Sequence, residues 1–332
     1  MASVKKPVCP GSQQRMSRRE FVRMVGGATL AAGVLPMAVA PRPAVAASSL
    51  LGVTETTVSR FYDTLTQGQR QVICLPFEHE LRHKISNHWA VTEPTIGEFF
   101  NLEQQTLIDE IFRSVSSDDG YERFQKQMSD DAGGIGNYHV ALFGQPGSGQ
   151  FQFEMTGQHL TIRADGNHED KAAFGGPIVY GHGAGDSQPG LPGNVFYHQT
   201  QRVNEVFAAL DGKQRDKALL TTPPFEGEVP VQGPSGRFPG IAVGDLASDQ
   251  RDLVEEVSKV ILAPYREEHV DEALAVMKAG GGLDRLHMAF YKSNDLGYDL
   301  EWDIWRIEGP TFVWHFRGAP HVHAYVNIAG KA

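Results

Sequence analysis

An α+β fold is the class this sequence predicts, with N-terminal helices, central and C-terminal antiparallel β-strands, and helices between them. Three observations predict it. Apolar residues recur at helical spacing before about residue 130 and again between 199 and 279. From Tyr138 the period changes to two, and glycines punctuate the runs. From Arg285 onward, "RLHMAFY", "LEWDIWRI", "PTFVWHFR" and "HVHAYVNI" alternate as a four-stranded antiparallel meander would.

The first 46 of the 332 residues read as a targeting segment rather than as part of that fold. A charged stretch with adjacent Arg18 and Arg19 precedes a mild apolar run, and Ala44-Val45-Ala46 makes an A-x-A cleavage site. The paired arginines followed by Phe21 resemble a twin-arginine export signal. A periplasmic or secreted protein is therefore expected, with residues 47–332 as a single α+β domain. Residues 1–46 hold seven basic residues and one acidic, so their removal takes the formal charge from −10 to −16. So acidic a chain lacks the basic footprint that nucleic acid or an anionic membrane surface requires. Cys9 leaves with the signal and Cys74 remains alone, so no internal disulfide can form.

The elements follow in order. Val58, Phe61, Tyr62, Leu65, Val72 and Ile73 give a helical stripe broken near Gly68. Leu107, Ile108, Ile111, Phe112 and Val115 give a second, with Asn101 and Gln104 as cap and reciprocal partner. "DDGYERFQKQM" adds a short third helix. "YHVALFG", "FQFEMTGQHLTIRA" and "GGPIVYGHG" are the central strands. Helix returns over 199–220, a Pro- and Gly-rich loop follows to about 245, and helices resume at about 249–262 and 266–279. A leucine followed by a cap residue and a glutamine recurs at "LTQGQR", "LDGKQR" and "LASDQR". The first two are capping boxes, and in the third Ser248 is expected to cap because Ala247 cannot.

Few motifs carry chemistry. "GQPGSGQF" has Gln150 where a phosphate loop needs lysine, which leaves a glycine-rich hairpin turn. "YGHGAGDS" places His182, Asp186 and Ser187 in a loop without the shaped turn of a nucleophile elbow. Cys74, in an apolar run, reads as a buried thiol. His79-Glu80-Leu81-Arg82-His83 meets the zinc-peptidase pattern literally, provided it lies on a helix. In "PHVHAYV", His321 and His323 would share one strand face, since strand residues i and i+2 point the same way. His315 could face that pair across a hairpin, and His159 in "GQHLTI" is the candidate further ligand. Thiolate-free imidazole coordination suits a divalent transition metal, zinc or copper best.

In the order "YHVALFG", "GQHLTI", "LDGKQRDKALL", "RIEGPTFVW" and "HVHAYV", the chain resembles the family called domain of unknown function 3500. The resemblance implies that His159 matches a histidine in a strand of that family, and His321 with His323 a terminal H-x-H. It implies no reaction, and it contains no counterpart of the 79–83 pattern. His315 stands where many relatives carry a carboxylate. The sequence thus leads to an exported mononuclear metal-binding protein with His159, His321 and His323 as ligands and His315 as a fourth. Three imidazoles would leave an open position for hydrolytic or redox chemistry on a small substrate. Two other readings stand beside it: a non-catalytic extracytoplasmic binding protein that uses the 222–245 loop, and a zinc peptidase using His79, Glu80 and His83.

Overall fold

The structure, a computed structural model, describes residues 48–147, 149–165, 172–183, 193–296 and 301–330. The expected signal segment lies outside them, and so do Asp186 and Ser187. Among the described residues no helix is long and apolar enough to cross a membrane.

Helices α1 (Ser48–Thr64) and α2 (Gln67–Ile73) lead into a short strand, β1 (Cys74–Leu75). The break between the helices falls at Leu65-Thr66, ahead of Gly68, because Thr66 starts α2 with a capping box that Gln69 closes. Next come α3 (Ile96–Phe99), α4 (Leu102–Val115), capped by Asn101 and Gln104 as expected, and α5 (Asp118–Ala132). Strands β2 (His139–Gly144), β3 (Phe151–Gly157), β4 (Leu160–Ala164) and β5 (Ile178–His182) follow as an antiparallel run. The second half repeats the plan. Helices α6 (Tyr197–Ala209) and α7 (Gly212–Ala218) lead into β6 (Leu219–Leu220), and a long loop ends in β7 (Ile241–Ala242). Helices α8 (Ser248–Leu262) and α9 (Glu267–Ala279) precede β8 (His287–Tyr291), β9 (Ile304–Gly309), β10 (Phe312–Arg317) and β11 (Val322–Ile328). All eleven described strands join one sheet in the order β1-β2-β3-β4-β5-β11-β10-β9-β8-β6, with β7 paired to β8 off that path.

The halves meet where β5 pairs antiparallel with β11, and each ends outward in a short parallel strand. The recurring glutamines explain how each half is tied. Gln69 and Gln104 exchange amide hydrogen bonds at 2.9 and 3.0 Å, and Gln104 also donates to the Thr64 carbonyl. Gln214 and Gln250 do the same at 2.9 and 2.7 Å, and Gln250 donates to the Ala209 carbonyl. A capping glutamine therefore does two jobs: its oxygen closes its own helix start, and its amide staples that start to a second helix. Ser248 does not replace Ala247 as a cap. Ala247 holds the cap position without a side-chain acceptor, and the Gln250 oxygen accepts from its backbone N–H.

The sheet has two faces of different character, and register assigns every residue to one of them. Phe290, Trp305, Phe316, Ala324 and Tyr180 stand in one row across β8, β9, β10, β11 and β5. That face packs on the helices: Phe207 lies 4.9 Å from Phe290, Phe196 lies 4.8 Å from Tyr180, and Phe61 meets Phe153. Through the opposite face run Ala289, Arg306, His315, Tyr325 and Val179, with Tyr291, Ile304, Arg317, His323 and Gly181 beside them. Irregular segments cover this second face. Ile85 and Val229 pack on Val179, Val313 and Tyr325, and Trp89 donates to Thr161. Chain without regular structure over a polar sheet face is the usual setting of a functional site.

Candidate metal centre

The three histidines arrive from two neighbouring places on the sheet. His159 does not lie within a strand. The run "FQFEMTGQHLTIRA" folds back on itself, and Gln158-His159 is the two-residue turn between β3 and β4, with Gly157 opposite Leu160. His159 sits at φ 56°, a left-handed conformation that histidine adopts more readily than most residues. That turn lands beside β5, and β5 pairs with β11 through His323 opposite Gly181 and Val322 opposite His182. His321 and His323 do share a face: their ring centroids are 4.6 Å apart, and each lies 5.0 Å from the His159 ring. One ligating nitrogen from each of the three falls within 4.8 Å of the others.

Carboxylates hold two of these rings from behind. His159 Nδ1 lies 2.8 Å from Asp131 Oδ2, and His323 Nδ1 lies 2.9 Å from Glu226 Oε2. A carboxylate at Nδ1 that takes its N–H leaves Nε2 to ligate, the pattern that orients imidazole ligands in metal sites; at His323, Asn87 and Arg317 donors also reach both ring nitrogens. Asp131 is itself fixed. The Gln127 amide and the Gly183 backbone N–H donate to it, each at 2.8 Å, and Gln127 also donates to the Gln158 carbonyl that precedes His159. Only glycine permits this approach at 183: a Cβ there would stand 2.8 Å from both Asp131 Oδ1 and His159 Cε1. Neighbouring Asp130 accepts from Lys126 and faces His182 Nε2 at 3.0 Å.

At His321 and His323 the surroundings favour the uncharged imidazole, the form that binds metal. Burial, and the repulsion that its protonated form would meet from His323, Arg317 and His159, push His321 down to about 4. Burial also lowers His323, against the pull of Glu226. Burial works to raise the Glu226 carboxyl, but the His323 hydrogen bond and the Arg317 charge together hold it below the usual carboxylate range. His321 Nε2 and His323 Nε2 are 2.8 Å apart, so two lone-pair positions converge on one point. Arg317 stands opposite His323 in the β10–β11 ladder, with Nη2 2.8 and 3.0 Å from its ring nitrogens and Nη1 3.0 Å from Glu226.

His315 does not join the three. In register it stands opposite Tyr325, two residues along from the Arg317–His323 pair, so Arg317 fills the place across from His323. The ring is buried, its Nδ1 finds no hydrogen-bond partner among the described residues, and burial with Arg306 and Arg317 nearby lowers it to about 3. It lines a cavity of about 790 Å³ that also reaches His323, Arg317, Asn87 and Phe225. Of the three clustered histidines, His323 lines this space, which is of the size that admits a small molecule.

Other sequence candidates fall elsewhere. Residues 80–83 form a single 3₁₀ turn, Glu80–His83, for which His79 is the cap and accepts from the Leu81 N–H. A 3₁₀ turn puts residues four apart on different faces, so His79 and His83 do not form the two-ligand helical face that a zinc peptidase needs. Cys74 is half-buried rather than fully buried, and burial pushes its thiol up to about 11, which disfavours the thiolate. The glycine-rich segment at 144–151 is the β2–β3 hairpin connection, as expected. Sequence reasoning missed Asn87, Asp131, Glu226 and Arg317. The only signal for Glu226 was its place in a long Pro-rich loop.

The sequence pattern of the family described as protein of unknown function (DUF3500) matches residues 51–327. No curated protein and no solved structure matches the chain.

Proposed function

The chain belongs to that DUF3500 family, and we propose that it is an exported protein that binds one divalent transition-metal ion on His159, His321 and His323. We further propose that it hydrolyses a small substrate admitted by the adjoining cavity. One observation carries the reading: three imidazole nitrogens lie within 4.8 Å of one another, and carboxylates support two of the rings at Nδ1. All-imidazole coordination suits zinc or copper. Held by these three residues, an ion would supply Lewis acidity to a water or to a substrate oxygen.

The chain's own residues do the rest. Asp131 and Glu226 fix ring orientation and strengthen the ligand nitrogens. Arg317, anchored by Glu226, and Asn87, whose amide lies 3.0 Å from the His323 ring, offer donors for a substrate oxygen beside the histidines. Pro223, Pro224 and Phe225 give the cavity an apolar wall that limits water. The N-terminal arginine pair and the apolar run after it support export.

Equilibrium dialysis with zinc and with copper, read by elemental analysis, tests this. One ion per chain is expected. His159→Ala and His321→Ala should lose it, and His79→Ala should keep it. Asp131→Asn should weaken affinity by about 10- to 100-fold, the usual cost of removing such a support. Substoichiometric metal in the unaltered protein, with stability indifferent to a chelator, would sink the proposal.

A further inference from the structure

The face of the sheet that carries the histidines holds a second set of polar groups that the metal reading does not use. Arg306 is buried on β9. Its Nε donates to Glu308 Oε2 at 2.9 Å and its Nη2 to the Glu228 carbonyl at 2.7 Å, but Nη1 finds no partner among the described residues. Tyr291 is buried on β8, and its hydroxyl has no partner either. Burial raises that phenol to about 12, so it remains a protonated donor. Both residues line a cavity of about 460 Å³ with Glu308, walled by Pro223, Pro224 and Pro239.

Buried donors without acceptors are rare in folded proteins, and a pair of them lining one cavity calls for a ligand that supplies the acceptor. Charge decides which kind. Glu308 already neutralises Arg306, and the Gln232 amide satisfies the other carboxylate oxygen at 2.6 Å. An anion entering here would meet that carboxylate without an uncompensated cation, whereas a neutral oxygen needs only the two donors. Thr222, Pro223 and Pro224 also line the cavity beside the histidines, so the two spaces share a wall. Tyr291, Ile304, Arg317 and His323 form one row across adjacent strands. Three strand spacings separate its ends, about 14 Å.

We propose that this second cavity binds a neutral carbonyl or hydroxyl oxygen between Arg306 and Tyr291, as the remote subsite of an elongated, uncharged polar molecule whose other end lies at the histidines. The remote end of that statement stands on Arg306 and Tyr291 alone; the reacting end rests on the metal reading.

Ligand-observed NMR titration of the purified chain tests it with three probes: N-methylacetamide for a carbonyl, glycerol for a hydroxyl, and acetate for an anion. The variants are Tyr291→Phe and Arg306→Met. Removing an unpartnered hydroxyl leaves the fold intact, so Tyr291→Phe should unfold at an unchanged or higher temperature. A neutral probe is expected to bind saturably, and Tyr291→Phe should weaken it about tenfold, the scale of one hydrogen bond to a ligand. Which neutral probe binds identifies the oxygen type. The inference is overturned if neither neutral probe binds, if binding survives Tyr291→Phe unchanged, or if acetate is the probe whose binding depends on Tyr291. Metal content measured on the same samples separates the two readings. Probe binding without metal contradicts the metal centre alone, and metal without probe binding contradicts this subsite alone.

Discussion

At the scale of single residues, the site is a contest over imidazole lone pairs. Asp131 and Glu226 face Nδ1 of His159 and His323, and Arg317 Nη2 reaches both ring nitrogens of His323. If a metal bound, it would be held by imidazole nitrogens of His159, His321 and His323, and Glu226 would anchor Arg317 beside it. Alternation pointed to His321 and His323 together, although β11 begins at Val322 and His321 lies just ahead of it. Their supports were not legible. Asp131 is 28 residues from His159 and Glu226 is 97 from His323, and nothing local marks either residue. His315 shows the limit of reasoning by proximity. The turn at 318–321 sets the register, and the register gives Arg317 the place expected of His315.

The same buried histidines make a prediction about pH. A histidine kept neutral in the fold binds its proton more weakly there than in the unfolded chain, whose value is about 6.5. Its stabilising effect is therefore complete above about 6.5 and is lost as pH falls toward the folded value, about 3 for His315 and about 4 for His321. Asp131 and Glu226, held below their usual range, lose their contribution only at lower pH, so the window from 6.5 to 5 reports the histidines. Urea unfolding of metal-free protein across that window should show stability falling with pH. His315→Phe should reduce the slope by about one proton, roughly 1.4 kcal/mol per pH unit. An unchanged slope would mean that His315 takes up its proton in the folded state.

At the scale of elements, helix starts were the clearest part of the sequence. Cap and glutamine three residues apart placed α2, α4 and α7, since both partners lie within one turn. The second job of those glutamines was hidden, because it depends on which helices meet. The β3–β4 turn was hidden for a similar reason: alternation continues through "MTGQHLT", and a left-handed histidine carries no compositional mark. A double-mutant cycle tests the staple. Gln69→Ala and Gln104→Ala should each destabilise by about 1–3 kcal/mol, as expected when a buried amide loses its partner. The two should also couple, whereas Gln69→Ala with Gln250→Ala should add within about 0.5 kcal/mol, since the pairs share no contact. Additivity within the first pair would remove the staple.

At the scale of the whole molecule, two similar halves join edge to edge at β5 and β11, and the histidines gather at one end of that seam. His159 comes from the first half and the H-x-H pair from the second, so the cluster exists only once both halves have folded and paired. The α+β class and the terminal meander were legible from periodicity. The pairing of the halves was not, because β5 and β11 are joined by strand register and not by any local motif. Metal X-ray absorption on the loaded protein measures the outcome of that assembly most directly. One ion per chain with three imidazole nitrogens at about 2.0–2.1 Å is expected, and no stoichiometric ion in His159→Ala. A shell of oxygens alone, or one unchanged by His159→Ala, would contradict the three-histidine centre.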